Sequence, residues 1–222
     1  NVTVTLNTAP TTASLSGTVA TVGTATNLTI TTFGNQLNGT YAVTITGGTN
    51  APDTTAPTLP VAQNVTFNNG VATVSVTLTN AAAQNLVATI DGTIVTAALA
   101  VNPAAGACAS LTATTPPVLG VRAGIAAVDM ATQPVITLKD QYGNTCATGA
   151  SATDAVTLAI NGATTPAGAT LGGTLTVNAV NGVATFAGVN VTPGSDAQIT
   201  DLDLRFSSGA VTVDVNDLST SA

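Results

Sequence analysis

An all-β chain of two tandem sandwich domains is what three observations predict. Apolar residues alternate with threonine at a period of two, Gly, Asn and Pro interrupt the pattern about every ten residues, and one hairpin phrase occurs twice, 112 residues apart. Val and Thr are β-branched and suit a pleated, half-buried surface, whereas Gly, Asn and Pro supply turns.

The apolar rows follow in order. Val2, Val4 and Leu6 form the first, closed by Thr8-Ala9-Pro10, and Leu28/Ile30 and Val43/Ile45 follow. Val71, Val74, Val76 and Leu78 make another, and Val95 to Val101 the last of the first half. Ala81 to Asn85 is too short for a helix between strands and is expected to be a connecting loop. Roughly seven strands per half, with turns this frequent, indicate sandwiches of the immunoglobulin-like class.

The duplication defines the domains. Asn69-Gly70-Val71-Ala72-Thr73-Val74 recurs as Asn181-Gly182-Val183-Ala184-Thr185-Phe186. Phe33-Gly34-Asn35 matches Tyr142-Gly143-Asn144 at an offset of 109, Ala42-Val43-Thr44 matches Ala155-Val156-Thr157 at 113, and Val101-Asn102 matches Val215-Asn216 at 114. Such drift is what small loop insertions produce. Val2 to Leu6 is expected to correspond to Ala109 to Ala113. The seam falls in Asn102-Pro103-Ala104-Ala105-Gly106, giving domains 1–103 and 104–222.

Charge excludes several functions. Among 222 residues there are 3 Lys+Arg and 10 Asp+Glu, and all of the acids are Asp. Lys139, Arg122 and Arg205 cannot compose a groove for phosphates or an anionic membrane, so neither nucleic acid nor membrane is an expected partner. No window supplies the roughly 20 apolar residues of a spanning helix, and 2 Tyr, 4 Phe and no Trp cannot furnish the girdles of an outer-membrane barrel. Without histidine no Ser/His/Asp or Cys/His constellation exists. Hydrophobic residues at 45% suffice for a core, which argues against disorder. The chain opens on Asn1 rather than Met, as expected of a secreted protein after leader removal or of an excised fragment.

In the second half, Pro134-Val135-Ile136-Thr137-Leu138-Lys139-Asp140-Gln141-Tyr142-Gly143-Asn144 is followed by Val156-Thr157-Leu158, Gly173-Thr174-Leu175-Thr176 and Gly182-Val183-Ala184-Thr185-Phe186. This order resembles the bacterial immunoglobulin-like domains that occur in tandem in invasin-type adhesins, surface-layer proteins and extracellular filaments. The first half lacks the Asp and Gln before its Phe33-Gly34-Asn35 and joins the resemblance through the internal repeat. The resemblance implies a spacer or assembly module and carries no catalytic residues over.

Candidate chemistry is sparse. Asp140 to Asn144 offers one carboxylate, which fits a hairpin-closing Asx turn with Gly143 at positive φ better than a Ca²⁺ loop. In Asp201-Leu202-Asp203-Leu204-Arg205, alternation puts both carboxylates on one strand face with Arg205 offsetting them. Asp196, Asp214 and Asp217 are the further acids that a metal would recruit. Parity sends Ile136 and Leu138 inward and Lys139 outward with Val135 and Thr137, which suits a surface lysine better than an isopeptide cross-link. Cys108 and Cys146, 38 residues apart, read as a disulfide in a secreted chain. Asn1, Asn27, Asn38, Asn64 and Asn190 head Asn-x-Thr sequons, but with 18 Asn, 45 Thr and 10 Ser about 4.5 would arise by chance against the five seen, so glycans stay an open alternative. Val2, Val4 and Leu6 either pair within their own domain or are donated to the edge of a neighbouring subunit.

The expected function is therefore non-enzymatic, with no metal and no cofactor: a structural subunit of an extracellular, cell-surface homopolymer, filament or surface layer, assembled by end-to-end packing, strand donation or both. The alternative is a stalk or tip fragment of a larger adhesin. A hydrolase would require the aspartates to gather around a metal.

Overall fold

The computed structural model describes residues 12–121, 126–164, 167–195 and 198–220. Asn1, the Val2/Val4/Leu6 row, Arg122 and Asp196 lie outside them. The chain divides into two compact units, Asn1–Ala104 and Ala105–Ala222. Among the described residues the helical structure is a single 3-10 turn, Ala150–Thr153. Among the described residues no helix is long and apolar enough to cross a membrane.

In the first unit β1 (Thr12–Ser16), β2 (Thr26–Phe33) and β5 (Val71–Val76) form one antiparallel sheet in the order β1-β2-β5. β3 (Gly39–Thr46), β4 (Gln63–Phe67), β6 (Gln84–Ile90), β7 (Ile94–Val95) and β8 (Leu99–Val101) form the other: β4-β3-β6-β7, with β8 also on β6. Alternate residues of both sheets meet in one core that includes Leu28, Ile30, Val43, Ile45, Val74 and Leu86, the arrangement of a sandwich. Tyr41 packs edge-on against Phe67 at 5.8 Å between ring centroids.

The second unit repeats this wiring. β9 (Ser110–Thr115), β11 (Val135–Lys139) and β15 (Val183–Thr185) are ordered β9-β11-β15. β12 (Ala155–Ile160), β14 (Thr176–Asn178), β17 (Leu204–Ser208) and β18 (Val211–Val215) run β14-β12-β17-β18. A small added sheet joins β10 (Val128–Asp129), β16 (Asn190–Thr192) and β13 (Thr170–Gly172). Phe186 and Phe206, at 5.5 Å, centre a separate core.

The repeated phrase is a two-residue hairpin. Asn69 and Gly70 have φ of 48° and 79°, Asn181 and Gly182 have 51° and 75°, and the flanking residues exchange both backbone hydrogen bonds in each case. Two successive positive φ values define the type I′ turn that matches strand twist, and Asn-Gly is its preferred pair. The turn sets the phase of the strand that follows: Ala72, Val74 and Val76 point inward while Val71 is 43% exposed, so the expected row beginning at Val71 actually begins at Ala72.

Two further expectations are corrected. Gln84 and Asn85 open β6 rather than belonging to a loop. Gln84 takes an inward position and is buried because its Oε1 accepts from the Thr49 amide at 2.8 Å and its Nε2 donates to the Asn80 carbonyl at 2.7 Å. Val95 to Val101 is two short strands, both held by β6. The strand beside β2, the place that β9 takes beside β11, is β1 with Ala13 and Leu15 inward, while Val2 to Leu6, expected to match β9, lie outside the described residues.

Gly182 also sits where a Cβ would lie 2.7 Å from the Cys146 carbonyl group, whereas Gly188 (φ 69°) faces open space. We expect Gly182→Ala to destabilise the second unit by about 2–3 kcal/mol and Gly188→Ala by about 1 kcal/mol, read from urea unfolding midpoints.

Candidate functional site

Asp140 is the most heavily bonded side chain of the second unit's start. It is 2% exposed; its Oδ1 accepts from the amides of Tyr142 (2.9 Å) and Asn144 (3.0 Å), and its Oδ2 from the Gly106 amide (3.0 Å) and Asn144 Nδ2 (3.0 Å). Gly143 has φ 77°, and its amide donates to the Asp140 carbonyl. The loop is thus an Asx-type turn whose carboxylate is already surrounded by donors, and it also anchors the segment leading into β9. Lys139 is half-exposed next to it, while Thr137, expected outside, is buried between β9 and β15 with its hydroxyl 3.1 Å from that of Thr114.

Cys108 and Cys146, the pair expected to form a disulfide, are both free cysteines in this structure. The fold brings the two side chains beside each other, and each thiol has a carbonyl partner, Cys108 Sγ donating to Ser110 (3.4 Å) and Cys146 Sγ to Gly106 (3.7 Å). Burial, and then the neighbouring Cys108, push the Cys146 thiol up to about 12; burial raises Cys108 as well.

The acidic stretch differs from expectation. β17 starts only at Leu204, so Asp201 and Asp203 precede the strand, and Arg205 does not serve them. It stands opposite Asp214 on β18 and grips it with two hydrogen bonds of 2.8 Å, which raises the arginine and lowers the aspartate through that contact first. Asp201, Asp203 and Asp217 converge instead, with one carboxylate oxygen from each within 4.8 Å of the others. None of the three is buried, and Asp203 Oδ1 accepts the Asp217 amide at 2.9 Å. Asp217, the member brought in from beyond β18, was legible in sequence only as a further acid of the same unit.

Of the described sequons, Asn27 and Asn64 are exposed on β2 and β4. Asn38 is exposed but its Nδ2 donates to Gln36, and half-buried Asn190 donates from Nδ2 to Gly188. A cleft of about 460 Å³ lies between the segment entering β9 (Ala107, Cys108) and the β17–β18 turn with Val211. Sequence reasoning missed this cleft, because the residues that border it are 100 positions apart.

No protein-family model matches the chain, and no curated protein does. Solved structures do. The adhesin FdeC of Escherichia coli superposes with a TM-score of 0.51 at 18% identity, covering 95% of this chain and 63% of the other, so this chain spans less than two thirds of that structure. Domains 5–6 of the S-layer protein SbsC align over 96% of this chain and 99% of theirs at 19% identity and a TM-score of 0.31. The similarity to the adhesin shows the fold alone, an all-β chain of immunoglobulin-like sandwich domains.

Two outcomes are expected from the site. Asp140→Ala strands the Tyr142, Asn144 and Gly106 amides and should cost about 3 kcal/mol in chemical denaturation. In reduced protein, the unfolded Cys146 ionises near pH 9 and the folded one near 12, so the folded state binds the extra proton between them. Stability should hold up to about pH 9 and then fall, by at most about 1.4 kcal/mol per pH unit, in denaturant titrations that Cys146→Ala flattens.

Proposed function

We propose that this chain is a non-catalytic structural subunit of an extracellular, cell-surface polymer, a filament or a surface layer built from copies of itself. The observation that carries this reading is where the positive charges sit. Lysine on an outer strand normally deters edge-to-edge pairing. Here the only lysine, Lys139, lies on β11, flanked on both sides by β9 and β15, and Arg205 lies on β17 between β12 and β18. No described edge strand carries a cation. A surface of Thr, Ala, Val and Asn with open, unguarded edges suits assembly, by end-to-end packing and strand donation, better than dispersal as monomers.

A second reading, a stalk or tip segment of a longer adhesin, is favoured by the fold it shares with FdeC, of which it spans only part. Glycans on Asn27 and Asn64 are compatible with either.

Electron microscopy of the native material tests the first reading: regular filaments or sheets are expected, and dispersed particles at high concentration would overturn it. With no Glu or His and one Lys, few groups titrate between pH 5 and 9. Sedimentation should therefore find the polymer intact across that range and in 1 M salt, where surface ion pairs are screened.

A further inference from the structure

We propose that Cys108 and Cys146 form an ordered oxidation site: an extracellular disulfide donor reacts first at Cys108, and Cys146 then closes a bond that staples the segment entering β9 to the loop behind β11. Oxidation here requires only the extracellular setting of the reading above and does not depend on polymerisation.

In the sequence the two cysteines are paired by count and compartment alone. The fold holds both of their backbones at the end of β11. Upstream, the amides of Gly106, Cys108 and Ala109 donate to Asp140 Oδ2 (3.0 Å), Ser151 Oγ (3.1 Å) and the Lys139 carbonyl (2.8 Å). Downstream, the Cys146 amide donates to the Leu138 carbonyl at 2.9 Å. Cys146 Sγ meets the Gly106 carbonyl, two residues before Cys108, and Cys108 packs against the core cluster that contains Cys146. With both backbones fixed, the bond forms by turning the two sulfurs from their carbonyls towards each other.

A buried cysteine can serve simply as a small apolar side chain. The first unit shows that use of the place, since 109 positions earlier it has buried Leu37 and no cysteine. Packing accounts for one sulfur in the second unit but not for another held beside it.

The two thiols are unequal. Cys146 is fully buried, whereas Cys108 is half-exposed and borders the cleft of about 460 Å³. Ala107, Ser151 and Gly209 give that cleft small walls with room for a donor's sulfur, and Asp154 favours a donor without negative charge. Burial pushes both thiols up, Cys146 to about 12, so the exposed member supplies the first thiolate. Cys108 attacks one sulfur of the donor, forms a mixed disulfide and releases the donor's first thiol, which carries away the Cys108 proton. Cys146 then attacks Cys108 Sγ, forms the intrachain bond and expels the second thiol with the Cys146 proton. Two protein thiols are oxidised and one donor disulfide is reduced to two thiols.

The test treats the reduced full chain with cystamine, a cationic disulfide, and caps remaining thiols with N-ethylmaleimide. Trypsin in urea then cuts at Arg122, Lys139 and Arg205, which puts the cysteines on separate peptides, 1–122 and 140–205. Those peptides joined within a monomer are expected, with a raised urea midpoint that dithiothreitol reverses. Both peptides capped, a cystamine adduct that persists on Cys108, or links between two chains would overturn the pair; a linked chain with an unchanged midpoint would overturn the staple. For the order, Cys146→Ala should acquire the adduct at least about tenfold faster than Cys108→Ala. Equal rates would overturn entry at Cys108, and the unsubstituted chain tests the pair whether or not a variant folds. Native material capped before extraction should carry the same bond. Free thiols there, alongside oxidation of the purified chain, would overturn the extracellular setting and leave the site standing.

Discussion

A single glycine carbonyl joins the hairpin to the sheet in each unit. Gly70 O accepts the Thr32 amide and Gly182 O accepts the Leu138 amide, both at 2.8 Å. Each glycine follows an asparagine in the same left-handed pair, so the turn that reverses the chain also docks onto β2 or β11. Once that bond is made, the phase of β5 or β15 is set. Because side chains alternate, the phase decides which row faces the opposite sheet and which faces water. A one-residue slip would bring Val71, Thr73 and Ser75 inward in place of Ala72, Val74 and Val76, and the first core would lose one of its walls.

The scarcity of charge acts on a different level. It does not determine the fold, which rests on apolar rows and turns, but it determines what the finished sandwich presents to its surroundings. The described cations sit on central strands, one of them in a bidentate pair with Asp214 of β18, and no described edge strand carries a lysine or arginine. A sheet edge offers unpaired N–H and C=O groups to any strand that arrives unless charge, proline or cover prevents it.

Legibility in the sequence followed the range of the interaction. The class, the duplication, the Asn-Gly hairpins and the Asx turn at Asp140 all follow from neighbours within a few residues, and each was readable. Gln84 was misread because a buried amide looks like a loop residue until its partners Thr49 and Asn80 are brought beside it. Arg205 was assigned to Asp201 and Asp203 by spacing along the chain, yet its partner Asp214 lies across a ladder. The first strand was placed on the strongest apolar row, Val2/Val4/Leu6, although the weaker Ala13/Leu15 row takes the position beside β2. Cys108 and Cys146 are 38 residues apart, and only the fold shows the carbonyl that each thiol meets.

The sequence by itself determined that the chain is β, repeated and nearly uncharged, because alternation, turn residues and composition are local properties. The tertiary structure alone decided which rows become buried and which thiols and carboxylates meet. Those outcomes depend on pairing between strands that may be 100 residues apart, and pairing is chosen by the competition of all rows for two cores.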